Sequence, residues 1–167
     1  RQTLHIRVSK HGLCCCQIRQ ALTVGFVEGY HRFDFGTLSL DAELLDKQPP
    51  AGRDALCLAE GQGRNGIHLA QLGHRVTLQD LSPVGLERAR DLAQRRGVSV
   101  QTLCCDLADF QPPAESTDLV VAIWMHLPPP LRARVHRSAV ESLRPGGHLI
   151  LEAYTPRQLA LGSGGPP

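Results

Sequence analysis

Three carboxylates stand where apolar runs stop, and each is followed by a turn. Glu60 closes Ala55-Leu56-Cys57-Leu58-Ala59 and opens the glycine stretch Gly61-Gln62-Gly63-Arg64-Asn65-Gly66. Asp80 follows Arg75-Val76-Thr77-Leu78-Gln79, and Asp106 comes shortly after Leu103. A carboxylate offers two oxygens as acceptors, so Asp80 can take both hydroxyls of a ribose, and Asp106 can accept from an adenine amino group while Leu107 packs on the ring. Glycines let backbone approach a ligand because no Cβ intervenes, and a helix start leaves N–H groups that can point at it. The spacing Gly61-x-Gly63-x-x-Gly66 therefore reads as a nucleotide-cofactor turn, and it fits a dinucleotide as well as other adenosine cofactors. The plainer readings are an ordinary strand-to-helix turn at the glycines, a helix-start carboxylate at Asp80 and a surface-turn aspartate at Asp106.

To bring these acids together the chain must place several strand ends side by side. Short apolar runs at 55–59, 75–79, 98–103, 119–123 and 148–153 read as strands, and helical patterns lie between them. Ile67, Leu69, Ala70 and Leu72 suit a helix that ends at Gly73. Ser82 is an N-cap with Pro83 at the first helical position; Leu86, Ala89 and Ala93 share a face, and Arg95-Arg96-Gly97 suits a helix end. After Pro128-Pro129-Pro130, Leu131, Val135, Ala139 and Leu143 recur every four residues, and the helix must stop before Pro145. Strands alternating with helices imply an α/β fold, a Rossmann-like open parallel sheet with helices on both faces. In such a sheet ligands lie beyond the carboxyl ends of the strands, near the place where strand order reverses.

The 167 residues suit one domain, residues 49–167, preceded by an atypical N-terminal segment, residues 1–48. Within that segment a helix is expected over 13–24 and a short one over 41–46, ended by Pro49-Pro50. Phe26, Tyr30, Phe33 and Phe35 read as core or as a lid over the site. A net charge of +2 is too mild to imply a nucleic-acid partner, and no apolar run is long enough to span a membrane, so a cytoplasmic protein is expected. Six cysteines, Cys14-Cys15-Cys16, Cys57 and Cys104-Cys105, have no metal-ligand spacing; no metal is expected, and Cys57 reads as a small apolar core residue.

Leu56-Cys57-Leu58-Ala59-Glu60-Gly61-Gln62-Gly63-Arg64-Asn65 resembles the class I S-adenosylmethionine-dependent methyltransferases, and most of all the branch related to tellurite-resistance and thiopurine methyltransferases. The resemblance runs from about Pro50 to Pro167. It takes in Asp80-Leu81-Ser82-Pro83, Asp106-Leu107-Ala108-Asp109-Phe110, His126-Leu127-Pro128, Leu143-Arg144-Pro145-Gly146-Gly147 and Leu151-Glu152-Ala153-Tyr154. It implies S-adenosylmethionine as cofactor, with Gly61 and Gly63 passing under its methionine part, Asp80 on ribose with Leu81 beside it, Asp106 and Leu107 at adenine, and Trp124 near the end of the fourth strand. The family usually has an acid where Cys57 stands and a glycine where Ala59 stands, so Glu60 would have to supply the carboxylate of this turn. By the same resemblance such folds continue past the fifth strand with a further helix and an antiparallel strand pair, so the sheet formed by these residues is expected to be incomplete. An uncovered strand edge invites another copy of the chain, a partner or the chain's own N-terminus to cover it.

Methyl transfer asks mainly for alignment, since the sulfonium is already an excellent leaving group. His126 is the one titratable side chain expected near the methyl group, where it would accept a proton from the nucleophile; capping the next helix is its plainer role, and Tyr154 is a weaker candidate. With no basic stripe in the sequence, the expected acceptor is a small molecule. A nicotinamide-dependent oxidoreductase is the enzymatic alternative, and a non-catalytic cofactor-binding or assembly module is the third reading.

Overall fold

The structure is a computed structural model that describes residues 3–9 and 51–154. The helices expected over 13–24 and 41–46, the aromatic group from Phe26 to Phe35 and Cys14-Cys15-Cys16 lie outside the described residues. Six strands and three helices are described: β1 (Thr3–Ser9), β2 (Asp54–Leu58), α1 (Arg64–Gln71), β3 (Arg75–Asp80), α2 (Pro83–Arg95), β4 (Gln101–Cys104), β5 (Thr117–Ile123), α3 (Pro129–Ser142) and β6 (Leu143–Tyr154).

The sheet order is β1-β6-β5-β2-β3-β4. Strands β2 to β6 run parallel, so the α/β, Rossmann-like reading is correct. From β2 the chain winds outward through β3 to β4, then returns to place β5 on the other side of β2. The reversal point is therefore the gap between β2 and β5.

The strands are apolar throughout because both of their faces are covered. Ala55, Cys57, Leu78, Leu119 and Val121 pack beneath α1 and α2 with Leu69, Leu86 and Ala89. Their alternating neighbours Leu56, Leu58, Val120 and Ala122 pack beneath α3 with Val135, Ala139 and Val140. Cys57 is fully buried in the first layer, as a small apolar residue would be. Close contact between α1 and the sheet depends on Gly66, where an added Cβ would meet Leu78 Cδ2 at 2.1 Å and Cys57 Sγ at 3.2 Å.

Helix limits follow local chemistry. The Ser82 side chain accepts from Gly85 N at 3.1 Å, and Pro83 takes the first helical position. Helix α3 ends at Ser142, ahead of Pro145. Strand β4 is shorter than expected and largely exposed, in keeping with its place at the sheet edge.

The main departure lies at the opposite edge. Thr3–Ser9 pairs antiparallel with β6 in a seven-residue register from Thr3↔Tyr154 to Ser9↔His148. The edge of β6 that the sequence seemed to leave open is thus paired within the chain itself. The segment before Pro49 contributes a strand to the sheet of the domain that follows it. The signal was present as an alternation of Leu4, Ile6 and Val8 with His5 and Arg7, a period-two pattern that basic residues disguise as a solvated stretch.

Candidate functional site

The carboxyl ends of β2, β3, β4 and β5 gather the expected residues on one side of the sheet. Glu60 lies just beyond β2 and turns its carboxyl inward onto the start of α1. Its Oε1 accepts from Asn65 N at 2.7 Å and from Gly66 N at 3.0 Å. The helix-start N–H groups expected to face a ligand are therefore partly committed to Glu60, which acts as the built-in anion of that helix. Burial pushes the Glu60 carboxyl up from 4.5 to about 6, and the N–H bonds from Gly66 and Asn65 hold it back from rising further.

Asp80 ends β3 and ties two turns together. Its Oδ2 accepts from Gly61 N at 2.7 Å and its Oδ1 from Ser82 N at 2.8 Å. A carboxylate has about four acceptor directions, so both oxygens keep capacity for hydroxyl donors. Gly61 has φ of 61° and nothing within 4 Å of a built Cβ, which leaves open space above the turn. Gly63 has φ of 81° and is crowded instead, its built Cβ lying 2.7 Å from Ala89 Cβ. From the far side the turn is braced by Gly85, whose built Cβ would come within 3.0 Å of Gly61 O.

Asp106 closes its own turn: Oδ1 accepts from Ala108 N at 2.7 Å, and its carbonyl accepts from Asp109 N and Phe110 N. The residue remains exposed. The expectation that Leu107 packs on a ring meets an obstacle, because its side chain is buried in the layer beneath α3 with Leu58 and Val135. Leu81, by contrast, is 64% exposed directly after Asp80 and offers a free apolar surface.

At the end of β5, Trp124 takes φ of 57° and donates its N–H to Glu152 O at 2.8 Å. Its ring stacks on that of His126 at a centroid distance of 6.1 Å. Ala59, at the end of β2, also takes positive φ, 50°. Left-handed backbone costs an ordinary residue about 1–2 kcal/mol. Two of the three such non-glycine residues described here, Ala59 and Trp124, flank the reversal point, whereas Glu115 lies in an exposed turn. Tyr154 ends β6, and its side chain lies outside the described set.

Sequence reasoning missed Gln79. This residue is 1% exposed, its Oε1 accepts from Ala59 N at 3.1 Å, and its Nε2 donates to Cys105 O at 2.6 Å. Among the described residues no group of three or more His, Cys, Asp or Glu side chains is arranged to hold a metal. No described helix is long and apolar enough to cross a membrane.

A turn with space above Gly61, flanked by the carboxylates of Glu60 and Asp80 and an exposed Leu81, fits a ligand with cationic, ribose and apolar parts. S-adenosylmethionine has all three. The comparisons with known proteins point the same way. A methyltransferase domain model matches residues 55–147. The tRNA 5-carboxymethoxyuridine methyltransferase of Escherichia coli K12 is 33% identical over 129 residues, which is 73% of this chain and 48% of that protein. This chain thus spans about half the length of the curated relative. A TehB-like S-adenosylmethionine-dependent methyltransferase from Corynebacterium glutamicum superposes with a TM-score of 0.56 at 25% identity, covering 66% of this chain and 59% of that one. Phosphoethanolamine N-methyltransferase 1 of Haemonchus contortus, solved with S-adenosylhomocysteine, shares the fold with a TM-score of 0.59 at 22% identity, over 66% of this chain and 24% of that one. This chain belongs to the methyltransferase domain family and has the fold of its S-adenosylmethionine-dependent members.

Proposed function

We propose that this chain binds S-adenosylmethionine above the Glu60–Gly63 turn and directs its methyl group to a nucleoside of tRNA. The observation that carries the cofactor reading is the joint hold of Asp80 on Gly61 N and of Glu60 on the start of α1. Those bonds fix the turn and leave the space over Gly61 open. Asp80 would take the ribose hydroxyls, Leu81 would lie against adenine with Asp106 near the exocyclic amine, and Gly61, Gly63 and Trp124 would line the methionine side. Leu107 would shape this end from within the core. When bound, the cofactor supplies a methyl group on a positively charged sulfur, so the protein needs alignment more than strong acid–base chemistry. His126, exposed and stacked on Trp124, is the candidate to hold a proton near the acceptor.

The acceptor reading is supported by the relative's stated substrate, tRNA 5-carboxymethoxyuridine. It also has support on α3, whose Arg132 and Arg137 are exposed in the helix that follows the Trp124–His126 loop, where phosphates could be met. A small-molecule acceptor is the second reading, favoured by the mild net charge of +2. Methyl-labelled S-adenosylmethionine offered with total tRNA and, separately, with small amines and carboxylic acids distinguishes them. Label in tRNA is the expected result, and label confined to the small acceptors establishes the second reading. Binding of S-adenosylhomocysteine without transfer to any acceptor would sink both and leave a binding module.

A further inference from the structure

We infer that Gln79 is a positioning residue for the cofactor site, one side chain that sets the spacing between the turn after β2 and the turn after β4. The inference rests on the cofactor reading above. Gln79 lies on β3, between the two strands whose ends form those turns. Its side chain is 1% exposed, where an unpaired amide would be costly. Both ends of the amide are satisfied, and both partners are loop backbone: Ala59 N at 3.1 Å on one side and Cys105 O at 2.6 Å on the other.

The first bond matters because β2 ends at Leu58, so the Ala59 N–H lies just past the end of that strand, where the chain then turns with φ of 50°. Gln79 Oε1 is the acceptor that meets it there. The Gln79 carbonyl adds a second tie by accepting from Glu60 N at 3.1 Å. The bond to Cys105 O pins the residue just before Asp106. Asp80, next in the chain, then holds Gly61 N on one flank, and its carbonyl accepts from Cys105 N at 3.2 Å on the other. The Gln79 amide thus bridges the turn at Ala59–Gly61 and the residue before Asp106 directly, beside the ties that the Gln79 backbone and Asp80 make to each loop. An apolar residue of similar size would fill the volume but remove the one side chain that joins the two loops, leaving each tied to β3 separately.

The test uses the full chain and S-adenosylhomocysteine. Q79L keeps the bulk and removes both bonds; Q79N keeps an amide that is one methylene too short to span both loops, and it carries the test should Q79L fail to fold. Either variant is expected to weaken S-adenosylhomocysteine binding about tenfold, measured well below its melting temperature, as a buried site loses paired groups. Hydrogen exchange should speed up together in peptides covering 59–63 and 105–107, with β5 unchanged, and added S-adenosylhomocysteine should restore part of that protection. A lower melting temperature with affinity within twofold of wild type would overturn the inference and leave Gln79 a core residue. E60A and D80A in the same assay separate the two readings. If neither changes affinity, the cofactor site has been misplaced and this inference falls with it; if they weaken binding while both Gln79 variants do not, only the Gln79 inference fails.

Discussion

The two ends of the sheet treat their carboxylates in opposite ways. At the amino ends of the strands, Asp54 and Asp118 are closed off by arginines. Arg144 reaches Asp54 Oδ2 at 2.9 Å and Asp118 Oδ2 at 2.8 Å, Arg75 reaches Asp54 Oδ1 at 2.7 Å, and Arg53 lies 3.4 Å from Asp118 Oδ1. At the carboxyl ends, Glu60, Asp80 and Asp106 turn to backbone N–H groups instead. A carboxylate paired with guanidinium is already neutralised, and it ties strands together. One held by amides keeps its negative charge and acceptor capacity for something else. The first arrangement stabilises the sheet, whereas the second, on the proposed function, would suit a ligand with cationic and hydroxyl groups.

If that division is right, breaking the amino-end network should cost stability and spare binding. Asp118 is 7% exposed and accepts from Asp54 N as well as from the two arginines, so D118A removes the centre of the network and strands its partners. We expect a loss of about 2 kcal/mol in unfolding free energy by urea titration, because the Asp54 N–H loses a charged acceptor while the arginines, 38% and 47% exposed, can turn to solvent. S-adenosylhomocysteine affinity in the surviving folded protein should stay within twofold. A marked loss of affinity would mean that the two ends are coupled.

The converse change is E60A. It removes the acceptor for Asn65 N and Gly66 N, and the loss of charged hydrogen bonds at a ligand turn should lower S-adenosylmethionine affinity by about 2 kcal/mol in calorimetric titration. The fold should lose less, because ionised Glu60 is itself held at a cost. Comparable losses in affinity and stability would make Glu60 a structural cap.

That cost sets the pH dependence. The folded-state pKa of Glu60 is raised from 4.5 to about 6 by burial, so the stability this group contributes is fully present below 4.5 and is lost as pH rises through 6. The full swing corresponds to about 2 kcal/mol, of which somewhat more than half should appear between pH 7 and 5. Binding should show the opposite trend, with S-adenosylmethionine affinity falling as pH drops through 6, because a cationic ligand favours the ionised carboxylate. E60Q should flatten both profiles. Asp54 behaves in reverse: its bond to Arg75 holds the carboxyl below 3.8, so its contribution is present above that value and is lost only in more acid solution. Its side chain is 30% exposed, and solvent screening limits the effect to under about 1 kcal/mol. Acid unfolding of D54N against wild type below pH 4 would measure it.

How much of this division could be read from the sequence depends on how local each signal was. The strand ends, the Ser82 cap and the acids after β2, β3 and β4 follow from hydrophobic period and turn chemistry within a few residues. Leu107 and Gln79 did not, because their roles depend on neighbours far along the chain. Leu107 meets Val135 beneath α3, and Gln79 reaches Ala59 and Cys105 across separations of 20 and 26 residues. A glutamine at the end of an apolar run looks like the end of a strand until its partners are seen. Strand β1 was hidden for a similar reason, since its partner β6 lies at the other end of the described chain. The amino-end network was equally out of reach, with Arg144 and Asp54 90 residues apart.

The smallest expected effect concerns strain. Ala59 stands where the family resemblance leads one to expect glycine, and its φ of 50° shows that the turn after β2 takes a left-handed residue there. A59G should relieve the steric cost, while the freer unfolded chain takes part of the gain back, leaving a net stabilisation of at most about 1 kcal/mol. The carboxyl-end reading adds a condition. The Ala59 N–H is held by Gln79 in the wild-type conformation, so A59G should keep that bond and leave S-adenosylhomocysteine affinity within about twofold. If A59G stabilises the fold and weakens binding, the methyl of Ala59 is itself a ligand contact, and the strain at this end of the sheet is held in place for the cofactor rather than tolerated.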